Sequence, residues 1–238
     1  MSMSLLVSAS ALAIGYAAVV SAQNSGRMRL LMALPVGRAE LIIGIFLGRT
    51  AALLGPISVA FFCIVLIGWQ QFGIGSLAAL VQFYGATLIL AAAWIGVALG
   101  ISQLAMTSVR GATVAVSIFF LTFLWRFLVE SFYGIVTGQV ATLGPPASGP
   151  LFFVDRLTPT GAYQVVANSI LGLGNANENA VSTVRFLDPE RPGNGYVAEI
   201  VFSETPVYLD PVVSLGVLLF WVFAPLAIGY SRFRKQDL

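Results

Sequence analysis

Apolar residues gather in five long runs along this chain, at residues 4–20, 41–69, 77–105, 112–137 and 211–230. A helix needs about 20 apolar residues to cross the roughly 30 Å hydrocarbon core of a bilayer. The runs therefore predict five transmembrane helices. The first, with 17 residues, is at the short end for a crossing. It is rich in small side chains that permit close helix packing. Val20-Ser21-Ala22 is a possible signal-cleavage site, but no Lys or Arg precedes the run, so the basic start of a signal peptide is missing. A retained helix is the better reading. The second run has 29 residues, more than one crossing uses, so its first turns belong to the membrane interface. Pro56 is expected to kink it.

The breaks between runs are equally informative. In GRMRLLMALPVGR, Met28, Leu31 and Met32 share one helical face and Arg29 points elsewhere. Such a helix would lie along the membrane surface until Pro35 ends it. Gln70 to Ser76 reads as a short turn with Trp69 as an interface anchor. Residues 138–210 differ in composition. They open with a turn-rich linker, then offer an amphipathic helix over Pro159–Leu173 with Tyr163, Val166 and Ile170 on one side. Tyr196–Phe202 is strand-like. Gly44 with Gly48, and Gly96 with Gly100, are small-xxx-small pairs of the kind that bring helices together.

Composition settles the class. The chain is 58% hydrophobic and 9% charged, against about 25% charged in soluble domains. This is an all-α polytopic membrane protein in a single domain, 1–238. There is one cysteine, Cys63, and no histidine, which leaves no conventional zinc or haem site. No Walker A or Rossmann loop is present, so the chain does not hydrolyse ATP by itself.

Charge placement predicts orientation. If every run crosses once, segments 23–49, 106–111 and 231–238 share a side and hold eight of the twelve basic residues. The opposite side holds 138–210, with seven acids and three arginines. The positive-inside rule makes the basic side cytoplasmic and 138–210 extracytoplasmic. Five spans put the N-terminus outside, and a further helix upstream would place both ends inside. Arg126 and Glu130 lie within the fourth run, four apart on one helical face. Their spacing permits an intramembrane ion pair. A structural pair near the outer interface is one reading, part of a substrate path the other.

The basic segment 23–40 has two readings from its residues, an ordinary positive-inside loop or a docking element for a cytoplasmic partner. A resemblance extends the second. Ser25-Gly26, Leu30-Leu31, Leu34-Pro35, Arg38, Gly48-Arg49 and the tail GYSRFRKQDL resemble the permease subunits of type-2, exporter-class ABC transporters. The branch grouped with nitrous oxide reductase maturation permeases is the nearest in look. The resemblance implies a six-span pattern, in which this chain would begin at the second helix. Where the family carries acids before Ser-Gly, this chain has Ala22, Gln23 and Asn24.

The resemblance implies a cytoplasmic coupling helix contacted by an ATPase partner, with Arg27, Arg29, Leu31, Pro35 and Arg38 as its coupling residues. It implies a second permease copy or homologue, and ATP and Mg on the partner with no cofactor in this chain. It places the chain in the plasma membrane among lipid, with a possible extracytoplasmic partner and no nucleic acid. Cargo stays open among lipid, drug, peptide and a sulfur- or copper-related species. A non-transporting scaffold for an extracytoplasmic enzyme is the alternative. A membrane-embedded enzyme and an ion-driven carrier have less support, because intramembrane acids do not cluster.

Overall fold

The fold is taken from a computed structural model, which describes residues 2–16, 18, 22, 37–72, 76–105, 107–138, 149–172, 174–175 and 205–234. Every element among them is helical. In chain order they are α1 (Ser2–Gly15), α2 (Arg38–Phe72), α3 (Leu77–Leu104), α4 (Ser108–Thr137), α5 (Gly149–Asp155), α6 (Pro159–Ile170), a 3-10 turn η1 (Val207–Leu209) and α7 (Pro211–Phe233). The strand-like stretch Tyr196–Phe202 lies outside the described residues.

Among the described residues, four helices are long and apolar enough to cross a membrane, at Arg38–Gln70, Leu77–Leu104, Ser108–Trp125 and Pro211–Arg232. The described part of the first apolar run forms the 14-residue α1; residues 17 and 19–20 of that run lie outside the described residues. α2 runs unbroken through Pro56, and its 35 residues extend about 52 Å at the helical rise. That exceeds a crossing, and the excess sits at both ends of the expected run. Helix ends follow local chemistry. Gly37 N–H donates to Glu40 Oε2 at 3.0 Å, half of a capping box at the start of α2. Thr158 Oγ1 accepts from Gly161 N–H at 3.0 Å, with Pro159 as the first helical residue of α6. Gly138, at φ +67°, ends α4 in a conformation that favours glycine.

The chain divides into two compact units, and α3, α4 and α7 each contribute residues to both. One contains residues 2–75, 88–119 and 219–238. Its core is the middle of α3, where Leu90, Ala91, Ala93, Trp94, Ile95, Ala98 and Leu99 are fully buried. The other contains residues 76–87 and 120–218. Its core is α6, with Ala162, Tyr163, Val165, Val166 and Ala167 buried, together with Leu151, Phe152 and Leu209.

The burial of the spans separates their roles. In the most apolar stretch of α3, 78% of residues are buried, against 17% in α2, 11% in α4 and 22% in α7. All four are apolar around the whole helix. α3 meets that requirement by packing inside protein. α2 and α4 instead expose Val59, Phe62, Leu66, Phe120, Phe132 and Val136. In water each such side chain would forgo about 1.5–3 kcal/mol of burial. Hydrocarbon is the solvent in which these surfaces are stable.

Candidate functional site

The first candidate is the α3–α7 contact in the unit built on α3. Two glycines one turn apart let the backbones meet. A Cβ on Gly96 would lie 2.6 Å from Val222 O and 3.2 Å from Trp221 O. A Cβ on Gly100 would lie 2.6 Å from Pro225 O. No carbon fits there, so only glycine permits the approach. Pro225 explains one of these oxygens. Lacking an N–H, it cannot donate the helical hydrogen bond to the carbonyl of Trp221, four residues earlier. Cα–H groups of a glycine are weak donors suited to such a site. Gly229 continues the seam, its missing Cβ facing Gln103 at 3.1 Å. On the other side of α3, Gly15 of α1 meets Ala98, where an added Cβ would collide with the alanine Cβ.

Gly44 and Gly48 carry the same sequence motif as Gly96 and Gly100, yet among the described residues a Cβ at either would meet nothing within 4 Å.

Two arginines tie helix ends in the same unit. Arg38 Nη1 donates to Arg234 O at 3.0 Å, joining the start of α2 to the end of α7. Arg49 Nη1 donates to Ile14 O. That carbonyl lies in the last turn of α1, at the negative end of its dipole, where a cation is stabilising. Arg38 is the one coupling residue expected from sequence that the structure describes. Arg27, Arg29, Leu31 and Pro35 lie outside the described residues. Arg126 and Glu130 fall four apart on α4, Glu130 half-buried, and the side chain of Arg126 is outside the described residues.

In the other unit the centre is Arg156, 2% exposed. Nη1 donates to Asn175 Oδ1 at 2.8 Å and to Leu209 O at 2.9 Å, and Nη2 donates to Asn175 O at 2.8 Å. Asn175 Nδ2 also donates to Leu209 O. These bonds join the turn after α5 to the residues leading into α7. Burial pushes the guanidinium pKa down to about 10, with Asp155 acting in the opposite direction. It stays charged at neutral pH.

Tyr163 of α6 shares a 3.0 Å hydrogen bond with Thr87 Oγ1 and stacks at a tilt on Phe83. Burial raises its pKa and the Thr87 bond opposes the shift. The raised pKa means that Tyr163 stabilises the fold below the ordinary tyrosine pKa of about 10 and loses that contribution as pH rises through its folded value. Tyr163→Phe should cost about 1 kcal/mol. It should also flatten the loss of stability above about pH 10, as read by thermal unfolding across a pH series.

Several residues here escape sequence reasoning. Trp94 Nε1, Gln103 Oε1 and Thr50 Oγ1 are buried without a hydrogen-bond partner among the described residues. Unpaired buried polar atoms are rare and mark places of function or stored strain. Spacing alone does not reveal them, because an apolar helix shows no sign of which side faces protein. Gly229 has one available signal, its position four residues after Pro225.

Long apolar helices that meet at glycine seams, with basic residues at the helix ends, are those of a polytopic membrane protein. The sequence pattern described as ABC-2 family transporter protein matches residues 2–238. This chain belongs to the ABC-2 family of transporter proteins. Among the relatives of this ABC-2 family protein is the probable ABC transporter permease protein NosY of Pseudomonas aeruginosa. It is 24% identical over 238 residues, covering 96% of this chain and 75% of the relative. The membership makes this a multi-pass membrane protein of a transporter family, consistent with its four crossing-capable helices.

Proposed function

We propose that this ABC-2 family protein is the permease subunit of an ATP-driven ABC transporter of the plasma membrane. ATP hydrolysis takes place on a separate cytoplasmic ATPase, and a second permease copy or homologue completes the membrane part. The family match over nearly the whole chain carries this reading.

The geometry supports a route for motion. Near the end of the segment 23–40, Arg38 is hydrogen-bonded to the end of α7. α7 in turn touches the buried α3 through backbone contacts at Gly96 and Gly100. A displacement of the segment would thus be felt at a helix seam without side chains to absorb it. Arg27, Arg29 and Arg38 would hold the coupling helix at the headgroups and against the ATPase, Leu31 would dock its apolar face, and Pro35 would set its exit angle. ATP and Mg belong to the partner.

The test is association. Replacing Arg27, Arg29 and Arg38 with Glu together reverses the local charge. The variant should lose the ATPase on co-purification by at least tenfold while keeping its elution profile in detergent. Unchanged stoichiometry with the ATPase would reject the assignment of these residues.

A further inference from the structure

We propose that one end of the unit built on α3 is a site for anionic phospholipid, whose phosphate groups are held by Arg110, Arg232 and Arg234. The inference rests on the membrane reading and not on coupling to an ATPase. The fold assembles this end from distant parts of the chain. Arg38 Nη1 donates to Arg234 O at 3.0 Å and sets the start of α2 against the end of α7. Gly229 of α7 packs on Gln103, the next-to-last residue of α3. A Cβ on Gly111, in the first turn of α4, would lie 3.4 Å from Tyr16 O, just past α1. Arg49 Nη1 donates to Ile14 O in the last turn of α1.

Charge in this unit is confined to that end. Its described charged residues are Arg38, Glu40, Arg49, Arg110, Arg232 and Arg234, five cations and one acid. They lie in the first four turns of α2, the first turn of α4 and the end of α7. The carboxylate of Glu40 is occupied in part by Gly37 N–H. Helix ends do not balance the surplus. Each carries about half a charge, and two starts with three ends sum to about −0.5. Arg110, Arg232 and Arg234 are exposed, so the positive surface is open to a ligand.

Which helices carry the arginines selects the occupant. α2, α4 and α7 are the spans with little burial, and each brings arginine to this end. The buried span α3 has no charged residue along its whole length. Cation and hydrocarbon-facing surface thus go together, helix by helix. Exposed apolar side chains run up to the charges. Val109 precedes Arg110, and Ile228 stands one turn before Arg232. A phospholipid offers an acyl chain to the apolar side chain and a phosphate to the guanidinium beyond it. A free phosphate offers only the second. Depth agrees. Pro211–Arg232 is 22 residues, about 33 Å at the helical rise. That matches a hydrocarbon core of roughly 30 Å, so Arg232 stands at headgroup level when Pro211 is at the opposite edge. The choline of a zwitterionic lipid would be repelled by the same arginines, whereas a head group of net negative charge has no such cost. Each basic residue near an anionic surface contributes about a fivefold preference.

The test uses the full chain in detergent with equimolar phosphatidylglycerol and phosphatidylcholine, with no ATPase or nucleotide present. Lipids retained through gel filtration are quantified by mass spectrometry. Phosphatidylglycerol should exceed phosphatidylcholine by about tenfold. In about 1 M salt, where the Debye length falls to about 3 Å, the ratio should approach one. Arg110→Gln, Arg232→Gln and Arg234→Gln together keep the main-chain carbonyl that Arg38 uses and should lower the ratio to about twofold. The same three positions changed to Lys keep the charge and should keep most of the preference. A ratio of one in the unaltered chain overturns the proposal, as does an unchanged ratio in the glutamine variant. Displacement of the lipid by millimolar inorganic phosphate assigns the site to free phosphate and overturns it too. So does loss of a co-purifying ATPase by the glutamine variant with its lipid ratio unchanged, which assigns this end to protein. If the glutamine variant does not fold, the ratio and its salt dependence in the unaltered chain decide. The lipid variants leave Arg27, Arg29 and Arg38 intact, so failure here leaves the coupling assignment standing, and failure of the coupling assignment leaves the lipid site standing.

Discussion

Gly100→Val lowers the stability of this protein by about 3 kcal/mol, while Gly44→Val changes it by no more than roughly 0.5 kcal/mol. The difference comes from what each side chain would meet. At Gly100 even the first carbon lies 2.6 Å from Pro225 O and 3.0 Å from Pro225 C, both backbone atoms of α7. Backbone cannot rotate away, so α3 and α7 must separate, and Gly96 one turn earlier would lose its own contact with Val222 O. At Gly44 no described atom lies within 4 Å of that carbon. Thermal midpoints in detergent, read by size-exclusion after heating, check the pair. A drop of roughly 6–12 °C is expected for Gly100→Val. Equal midpoints for the two variants would show that the α3–α7 seam is not a closed contact.

Arg156→Ala is the second large effect, a loss on the order of 3–5 kcal/mol. The change removes three hydrogen bonds from a charged donor, each worth more than a neutral bond. Asn175 O and Oδ1 would lose these donors in a site that is almost wholly buried. Leu209 O would keep Asn175 Nδ2. Arg156→Lys should recover only part of the loss, because an ammonium lacks the planar fork that reaches Asn175 and Leu209 together. The sign of the pH dependence follows from the lowered pKa. The folded state binds fewer protons than the unfolded state only above about pH 10 and below the ordinary arginine range, so Arg156 makes stability rise with pH in that window. Between about pH 5 and 9 the guanidinium is charged in both states, so the loss caused by Arg156→Ala should not vary with pH there. A midpoint for Arg156→Ala within about 2 °C of the unaltered chain, roughly the effect of half a kilocalorie, would show that this network does not hold the unit together.

Much of the helical layout was legible because bilayer thickness and helical rise leave few choices for an apolar run of about 20 residues. α6 was legible for a local reason, since its start is written by Thr158 and Pro159 and its buried face by Tyr163 and Val166. Tertiary relations were not. Gly44-Gly48 and Gly96-Gly100 are the same motif, and only the presence of α7 beside one of them separates their roles. Arg156 looked like one more charge in an acidic region. Its acceptor Leu209 is 53 residues away, and no local pattern encodes such a bond. The apolar spans also conceal their inner side, because lipid and protein interior select the same residues. α3 is therefore identified as the buried helix by packing and not by composition. α5, a seven-residue helix, has too little length for a periodic signal.

Central to the proposed function is contact between the arginine-bearing segment 23–40 and a cytoplasmic ATPase. The most direct measurement places one cysteine there, Met28→Cys in a Cys63→Ser background, and labels it with a membrane-impermeant maleimide in oriented vesicles. Labelling is expected from the cytoplasmic face, with protection by tenfold or more when the cognate ATPase is bound. Labelling from the opposite face, or labelling that bound ATPase leaves unchanged, would contradict it.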